Sequence, residues 1–328
     1  MSTQGDEAML HVTNGDAAAA VIRAAGIPGE ILPWRDVLHE GPVPAGLAPD
    51  ELSAVRARFI AGLGWNADEV ARGFAERDRT LAGFRDHDET VLWFEHDLYD
   101  QLQLIQVLDL IGDDNLDGGR VALICGAEYL GNSAPARLAE RFGQRGEVTE
   151  AETALASAAW AAFRSPDPTA IERLLDEDTS ALPFLAAALT RHLEQFPSVR
   201  NGLSRSEQQA LEAIAAGAAT VRDAYFASHQ QREDPIWLGD STFADYLDGL
   251  AAGETPLVTL EGGAKPDGPE TTLARRVALT DAGRAVLEGR EDRVRLCGID
   301  RWLGGVHLHG RETAWRWDTD AGQLVTSR

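Results

Sequence analysis

The chain has a single lysine. All the other residues among its 30 basic ones are arginine, and Lys265 sits in the glycine-rich stretch GGAKPDG. A nucleotide-binding P-loop needs a lysine directly after its glycines, so that motif is excluded. A Schiff-base mechanism would have to use Lys265, which a loop of glycines does not desolvate. Cysteine is almost as scarce. Cys125 and Cys297 lie far apart and form neither a metal-ligand spacing nor a disulfide framework, which suits a reducing cytoplasm. No apolar run reaches the length of a membrane span. The N-terminus MSTQGDEAML lacks the basic and apolar pattern of an export signal, so a cytoplasmic protein without a membrane partner is expected. Also missing are the G-x-S-x-G elbow, the H-E-x-x-H helix and the G-x-G-x-x-G fingerprint.

Positive charge is short overall, and the formal net charge is −23. Such a chain is repelled by nucleic acid phosphates and by anionic membranes. Its 328 residues, 44% of them hydrophobic, are enough for two domains with a well-buried core.

The N-terminal part alternates strand and helix. Leu10 and Val12 read as a strand, Asn14-Gly15 as a turn, and Asp16 as the N-cap of the helix AAAAVIRAA. A short strand begins at Ile31-Leu32. Two helices follow, about 49–63 and 68–84, then the strand Thr90 to Glu95, a helix through LIQVLDLIG, the strand GRVALICG and a helix near 134–141. This order predicts an α/β fold with a Rossmann-like, mostly parallel sheet over 1–149. Residues 150–200 read as a helical connector punctuated by prolines. Over 201–295, three helices, two strands around the Gly262–Gly268 loop and a closing helix spell a winged-helix-like domain. The tail, 296–328, reads as one β-hairpin, with Val306 and Leu308 on one strand and Trp315 and Trp317 on its partner.

Three segments carry chemistry, and all follow strands, where open α/β sheets bind ligands. In HVTNGD, Asn14 and Gly15 permit a turn with positive φ that aims backbone amides at a ligand. The carboxylate of Asp16 favours a hydroxyl, an amino group or a cation-shielded phosphate there; the alternative is a plain turn with an N-cap. In PWRDVLHEGPVP, Trp34 suits stacking on a ring, Arg35 an anionic group and Asp36 a polar ligand. His39 and Glu40 are candidate acid–base groups in the same loop, and Gly41-Pro42 fixes a tight turn; the alternative is a charged surface loop. In VLWFEHDLYDQLQL, a core strand runs into Glu95, His96 and Asp97, with Asp100 and Gln101 one turn later. Oxygen ligands from Asp16, Glu95, Asp97 and Asp100 suit Mg²⁺ or Mn²⁺, Gln101 suits the ligand, and His96 suits general base or ligand duty. Helix-dipole stabilisation accounts for Asp97 and Asp100 without any ligand, but not for Glu95 and His96.

These motifs resemble a bacterial family catalogued as domain of unknown function 1835, over about the first half of the chain. RWLGGVHL and WRWD resemble the ending of its longer members. The resemblance marks Asn14, Gly15, Asp16, Trp34, Asp36, His39, Glu40, Gly41, Glu95, His96, Asp97, Asp100 and Gln101 as signature positions and implies no activity.

The sequence thus predicts a protein that binds a small polar ligand, phosphorylated or nucleotide-like, with a divalent cation, for hydrolysis or group transfer. The rival is a ligand-sensing regulator that signals through the winged-helix-like domain. The third helix of that domain, GDSTFADYLDGLAAG, carries Asp240, Asp245 and Asp248 and no cation, so a packing or dimerisation role is expected rather than nucleic acid binding.

Overall fold

A computed structural model of the protein describes residues 9–112, 120–261 and 269–326; Lys265 and its glycine loop lie outside them. The chain divides into two units, Met1–Ala188 with Gly304–Val306, and Leu189–Leu303 with His307–Arg328. The helical stretch 150–200, expected as a connector packed on the first domain, falls in the first unit as far as Ala188, and the rest of it belongs to the second.

The first unit is built on a five-stranded sheet. Its strands are β1 (Met9–Thr13), β2 (Glu30–Pro33), β3 (Glu89–Glu95), β4 (Arg120–Gly126) and β5 (Gly146–Glu147), in the order β2-β1-β3-β4-β5. The first four are parallel and β5 is antiparallel. The helices are α1 (Asp16–Ala24), α2 (Pro49–Gly62), α3 (Ala67–Ala82), α4 (Leu98–Ile111), α5 (Pro135–Phe142), α6 (Glu150–Phe163) and α7 (Thr169–Leu175), and α8 (Leu185–Leu193) crosses the division. The apolar run of β3 is buried from end to end, as a strand covered on both faces requires. On one face Val91, Trp93 and Ile124 pack with Ala18, Ile22 and Leu138 of α1 and α5. On the other, α4 packs back on β3 and is covered in turn by α6. Val12 lies opposite Leu92, and Leu92 opposite Leu123. A slip of one residue would turn all of these to the wrong face and Glu95 with them.

β2 lies on one side of β1 and β3 on the other. The chain therefore reverses its direction of travel across the sheet between β1 and β3, and the crevice at their carboxyl ends is the topological switch point. Asn14 follows one of these strands and Glu95 ends the other.

In the second unit α9 (Arg205–Ala215), α10 (Val221–Tyr225) and α11 (Asp240–Ala251) precede the antiparallel pair β6 (Val258–Leu260) and β7 (Val277–Leu279). Between these strands lies α12 (Pro269–Ala274), and after them α13 (Asp281–Leu287). Leu211, Ile214, Val221, Phe243, Leu247, Val258 and Val286 form one core. α14 (Arg293–Cys297) and four strands complete the chain: β8 (Ile299–Leu303), β9 (Val306–Gly310), β10 (Trp315–Asp318) and β11 (Gln323–Thr326).

The tail corrects the expected pairing. β9 pairs with β8, and β10 with β11, as two separate two-stranded sheets. Gly304-Gly305 turns β8 into β9. Asp318 turns β10 into β11: its side chain accepts from the Asp320 and Ala321 amides, and Gly322 closes the turn at φ 65°. That turn sets Gln323–Thr326 antiparallel to Trp315–Asp318. Gly304–Val306 belongs with the first unit, where Gly304 O accepts from Val43 N and Gly305 N donates to Phe163 O. A Cβ at either glycine would overlap the backbone oxygens of Phe163 or Arg164.

Candidate metal and ligand site

Strand β3 stops at Glu95 because the first turn of α4 takes over its backbone groups. Glu95 N donates to Asp100 Oδ1 at 2.7 Å, and Glu95 O accepts from Gln101 Nε2 at 2.6 Å. Asp97 is the N-cap of α4, its Oδ1 accepting from Asp100 N at 2.9 Å. Asp97 and Asp100 therefore each have a backbone duty. The Glu95 side chain has none at its own strand end. It is turned into the protein, where Oε1 accepts from Leu130 N at 2.6 Å, in the segment after β4.

Asn14 joins the two strands across the switch point. Its Nδ2 donates to Glu95 Oε1 at 3.1 Å and to Asp100 Oδ2 at 2.9 Å. One oxygen each from Glu95, Asp97 and Asp100 lie within 4.8 Å of one another. Glu95 and Asp100 are buried and Asp97 partly so. Burial raises all three carboxyl pKa values. Asp97 is pushed up to about 7, with the charge of Glu95 adding to the effect. Asp100 is driven well above the carboxylate range by burial and by Asp97 and Glu95. Glu95 rises less freely, because the Leu130 amide, Asn14 and the Gly131 amide favour its ionised form. Three acids this close cannot all ionise without a counter-charge. Either protons or a cation must satisfy them, and an all-oxygen set of this kind fits a hard divalent ion such as Mg²⁺ or Mn²⁺.

Tyr99, which the sequence reading passed over, ties the remaining parts together. Its hydroxyl donates to Asn14 O at 3.0 Å, and His39 packs edge-on to its ring at 6.1 Å. Burial, with Asp100, Asp36 and Asp97 nearby, raises its pKa and keeps the phenol protonated. His96 is buried against the rings of Tyr129 and Phe184, at 5.2 and 5.9 Å. Gln101 Oε1 is buried without a hydrogen bond, and its Nε2 also lies 3.5 Å from Cys125 Sγ. Cys125 has its pKa pushed up to about 12 by burial, so it is a packed thiol.

Other expected residues serve the fold. Asp16 is the first residue of α1 rather than its cap, and its exposed carboxylate pairs with Arg35 at 2.6 Å, outside the carboxylate group. Gly15 is extended, with φ 173°, so the Asn-Gly pair makes no left-handed turn. Trp34 is fully buried; its Nε1 donates to Gln106 at 2.8 Å and the Arg77 guanidinium lies over its ring at 4.0 Å, so it is not open for stacking on a ligand. Asp36 is likewise buried, in an ion pair with Arg56 at 2.7 Å. Arg56 also donates to the carbonyls of Val37, Glu40 and Pro42. The loop 36–42 is thus wound around one buried guanidinium. The half-buried Glu40 contributes its backbone oxygen to this arrangement. Gly41, at φ 75°, is required where a side chain would strike the ring of Phe59. Arg56, nineteen residues beyond Val37 on α2, gave no local signal of that role.

No protein-family model and no curated protein matches the chain. Among the described residues no helix is long and apolar enough to cross a membrane.

Proposed function

We propose that the first unit binds a divalent cation, Mg²⁺ or Mn²⁺, through Glu95, Asp97 and Asp100, together with a small polar ligand, phosphorylated or nucleotide-like, in the crevice between β1 and β3. The observation that carries this reading is the meeting of three carboxylates with raised pKa values at the sheet's switch point. Solvation alone gives no reason to bury Glu95 there. A bound cation would supply charge to hold phosphate oxygens and to polarise the reacting group. Asn14 orients Glu95 and Asp100 for it. His96, and His39 on the Tyr99 side, are the groups we assign to proton movement, in hydrolysis or group transfer. The family resemblance of the three signature segments is part of the same proposal. It rests on those sequence motifs alone.

Isothermal titration with MgCl₂ and MnCl₂ at pH 8 tests the cation. The native protein should bind one ion, and Asp97→Asn should weaken binding at least tenfold. Absence of binding at millimolar concentrations of both metals would remove the cation from the proposal.

A second reading rests on the other unit. Three helices, an antiparallel pair and a bridge between Thr220 and Arg276 support a winged-helix assignment, and with it a sensor role. Arg275 is buried and held by Asp248, while Arg276 faces Glu261 at 3.8 Å. With Arg275 engaged, only the exposed Arg276 remains of this basic pair, beside an acidic α11, so we assign this domain a protein partner or a second copy rather than DNA. Specific retention of DNA in a gel shift at low salt would reverse that assignment.

A further inference from the structure

The second unit contains a cavity of about 1000 Å³ beside α14 and the β10–β11 pair. Five arginines line it: Arg200, Arg290, Arg295, Arg311 and Arg316. Three carboxylates share the lining, Glu291, Asp292 and Glu312. The chain as a whole carries 53 acidic residues against 30 basic ones, so this balance is inverted locally.

The pairing within the cavity sharpens the contrast. Asp292 is occupied twice: it caps α14 through the Arg295 amide at 3.0 Å and holds Arg316 by two bonds of 2.9 and 3.1 Å. Arg316 also donates to Ser198 O and is buried, which makes it a fixed wall. Arg290 leans on Glu288 on the exposed surface. Among the described residues, Arg200, Arg295 and Arg311 make no ion pair within 4.0 Å, Arg200 acting only at longer range on Glu212, and all three are exposed. Arg311 makes one bond, to the backbone oxygen of Arg295 at 3.3 Å. Guanidinium groups stay charged and present paired donors that match phosphate oxygens. Glu291 and Glu312 in the lining offset part of this charge, and gathering more guanidinium groups than the neighbouring acids balance costs free energy that a bound polyanion relieves.

We infer that this cavity is an anion site for a small molecule carrying two or more linked phosphates. Its volume is at the upper end of small-ligand pockets. The acidic α11 and the neutralised Arg275 set it apart from a duplex-binding surface. It is independent of the carboxylate site, because no residue is shared.

The test uses the full chain, in EDTA, titrated with sodium tripolyphosphate at 50 mM NaCl. One equivalent should bind, and 300 mM NaCl should weaken binding several-fold through screening. Replacing two exposed side chains, Arg295→Ala with Arg311→Ala, should weaken it at least tenfold and leave the thermal midpoint in place. Asp97→Asn should leave the affinity unchanged. Tighter binding of ATP than of tripolyphosphate, lost in the same double variant, would identify the source as a nucleotide. Equal affinities would mean that the phosphate chain alone is read. No binding at millimolar tripolyphosphate, or binding that the double variant retains, overturns the site. So would tighter binding of a single-stranded oligonucleotide that is lost in the double variant, which would assign the arginines to nucleic acid.

Discussion

Replacing Asp97 by asparagine separates its backbone duty from its charge. Asparagine caps helices as well as aspartate does, so the bond to the Asp100 amide survives in the variant. What disappears is one charge from a group of three. Burial and the neighbouring Glu95 raise the Asp97 carboxyl from its ordinary 3.8 to about 7. The sign of the consequence follows from linkage. A carboxyl with a raised folded pKa stabilises the fold fully below its unfolded value, and that contribution is lost as pH rises through the folded value. Each unit corresponds to about 1.4 kcal/mol, so three units set a ceiling of about 4 kcal/mol at pH 8. Protons shared among three carboxyls spread that cost. We therefore expect the metal-free variant to be more stable than the native protein by about 1–3 kcal/mol at pH 8. In calorimetry with EDTA this is a rise in midpoint of roughly 2–12 °C, at about 2–4 °C per kcal/mol for a unit of this size. At pH 4.5, still just above the unfolded value, the gap should fall to about a quarter of its size at pH 8. A variant less stable than the native protein at pH 8, or a gap that is the same at both pH values, would refute the crowded-carboxylate account.

Removing Asp36 with alanine should cost about 3–5 kcal/mol in urea unfolding, because Arg56 keeps a buried charge without its counter-ion; the double variant Asp36→Ala, Arg56→Met should cost less than the single one. Gly305→Val should destabilise by about 1–3 kcal/mol, since its side chain would overlap the Arg164 carbonyl, and an unchanged urea midpoint would contradict that packing. With a thiol reagent at pH 8 the native protein should show one faster thiol, the exposed Cys297, and one slow thiol, Cys125, whose pKa of about 12 leaves little thiolate; equal rates would place Cys125 in a more open setting than its burial allows.

What could be read from the sequence was whatever is written locally. The buried run of β3, the β-α alternation and the acidic opening of α4 are contiguous signals, and each was enough to place its element and to put Glu95, Asp97 and Asp100 at the end of a central strand. The roles that went astray were set by partners distant in the chain. Asp36 and Trp34 have the residue types of a ligand loop, yet Arg56 and Arg77 reach them from α2 and α3 and convert both into core. A buried arginine looks no different in sequence from a solvated one, and only the fold decides which carboxylate it meets. Asp16 failed for the opposite reason: the nearest opposite charge, Arg35, is close enough to satisfy it at the surface. Asn14 is the informative contrast. It carries no charge of its own, and its turn geometry is not the one that Asn-Gly suggests. It nevertheless holds two carboxylates more than eighty residues away. Asn14→Leu should therefore raise the apo site's preference for protons, by removing the donor that favours ionised Glu95 and Asp100, and make the alkaline loss of stability larger and carry it to higher pH. If the extent and upper end of that loss stayed where they are in the native protein, Asn14 would be packing beside the acids rather than setting their charge.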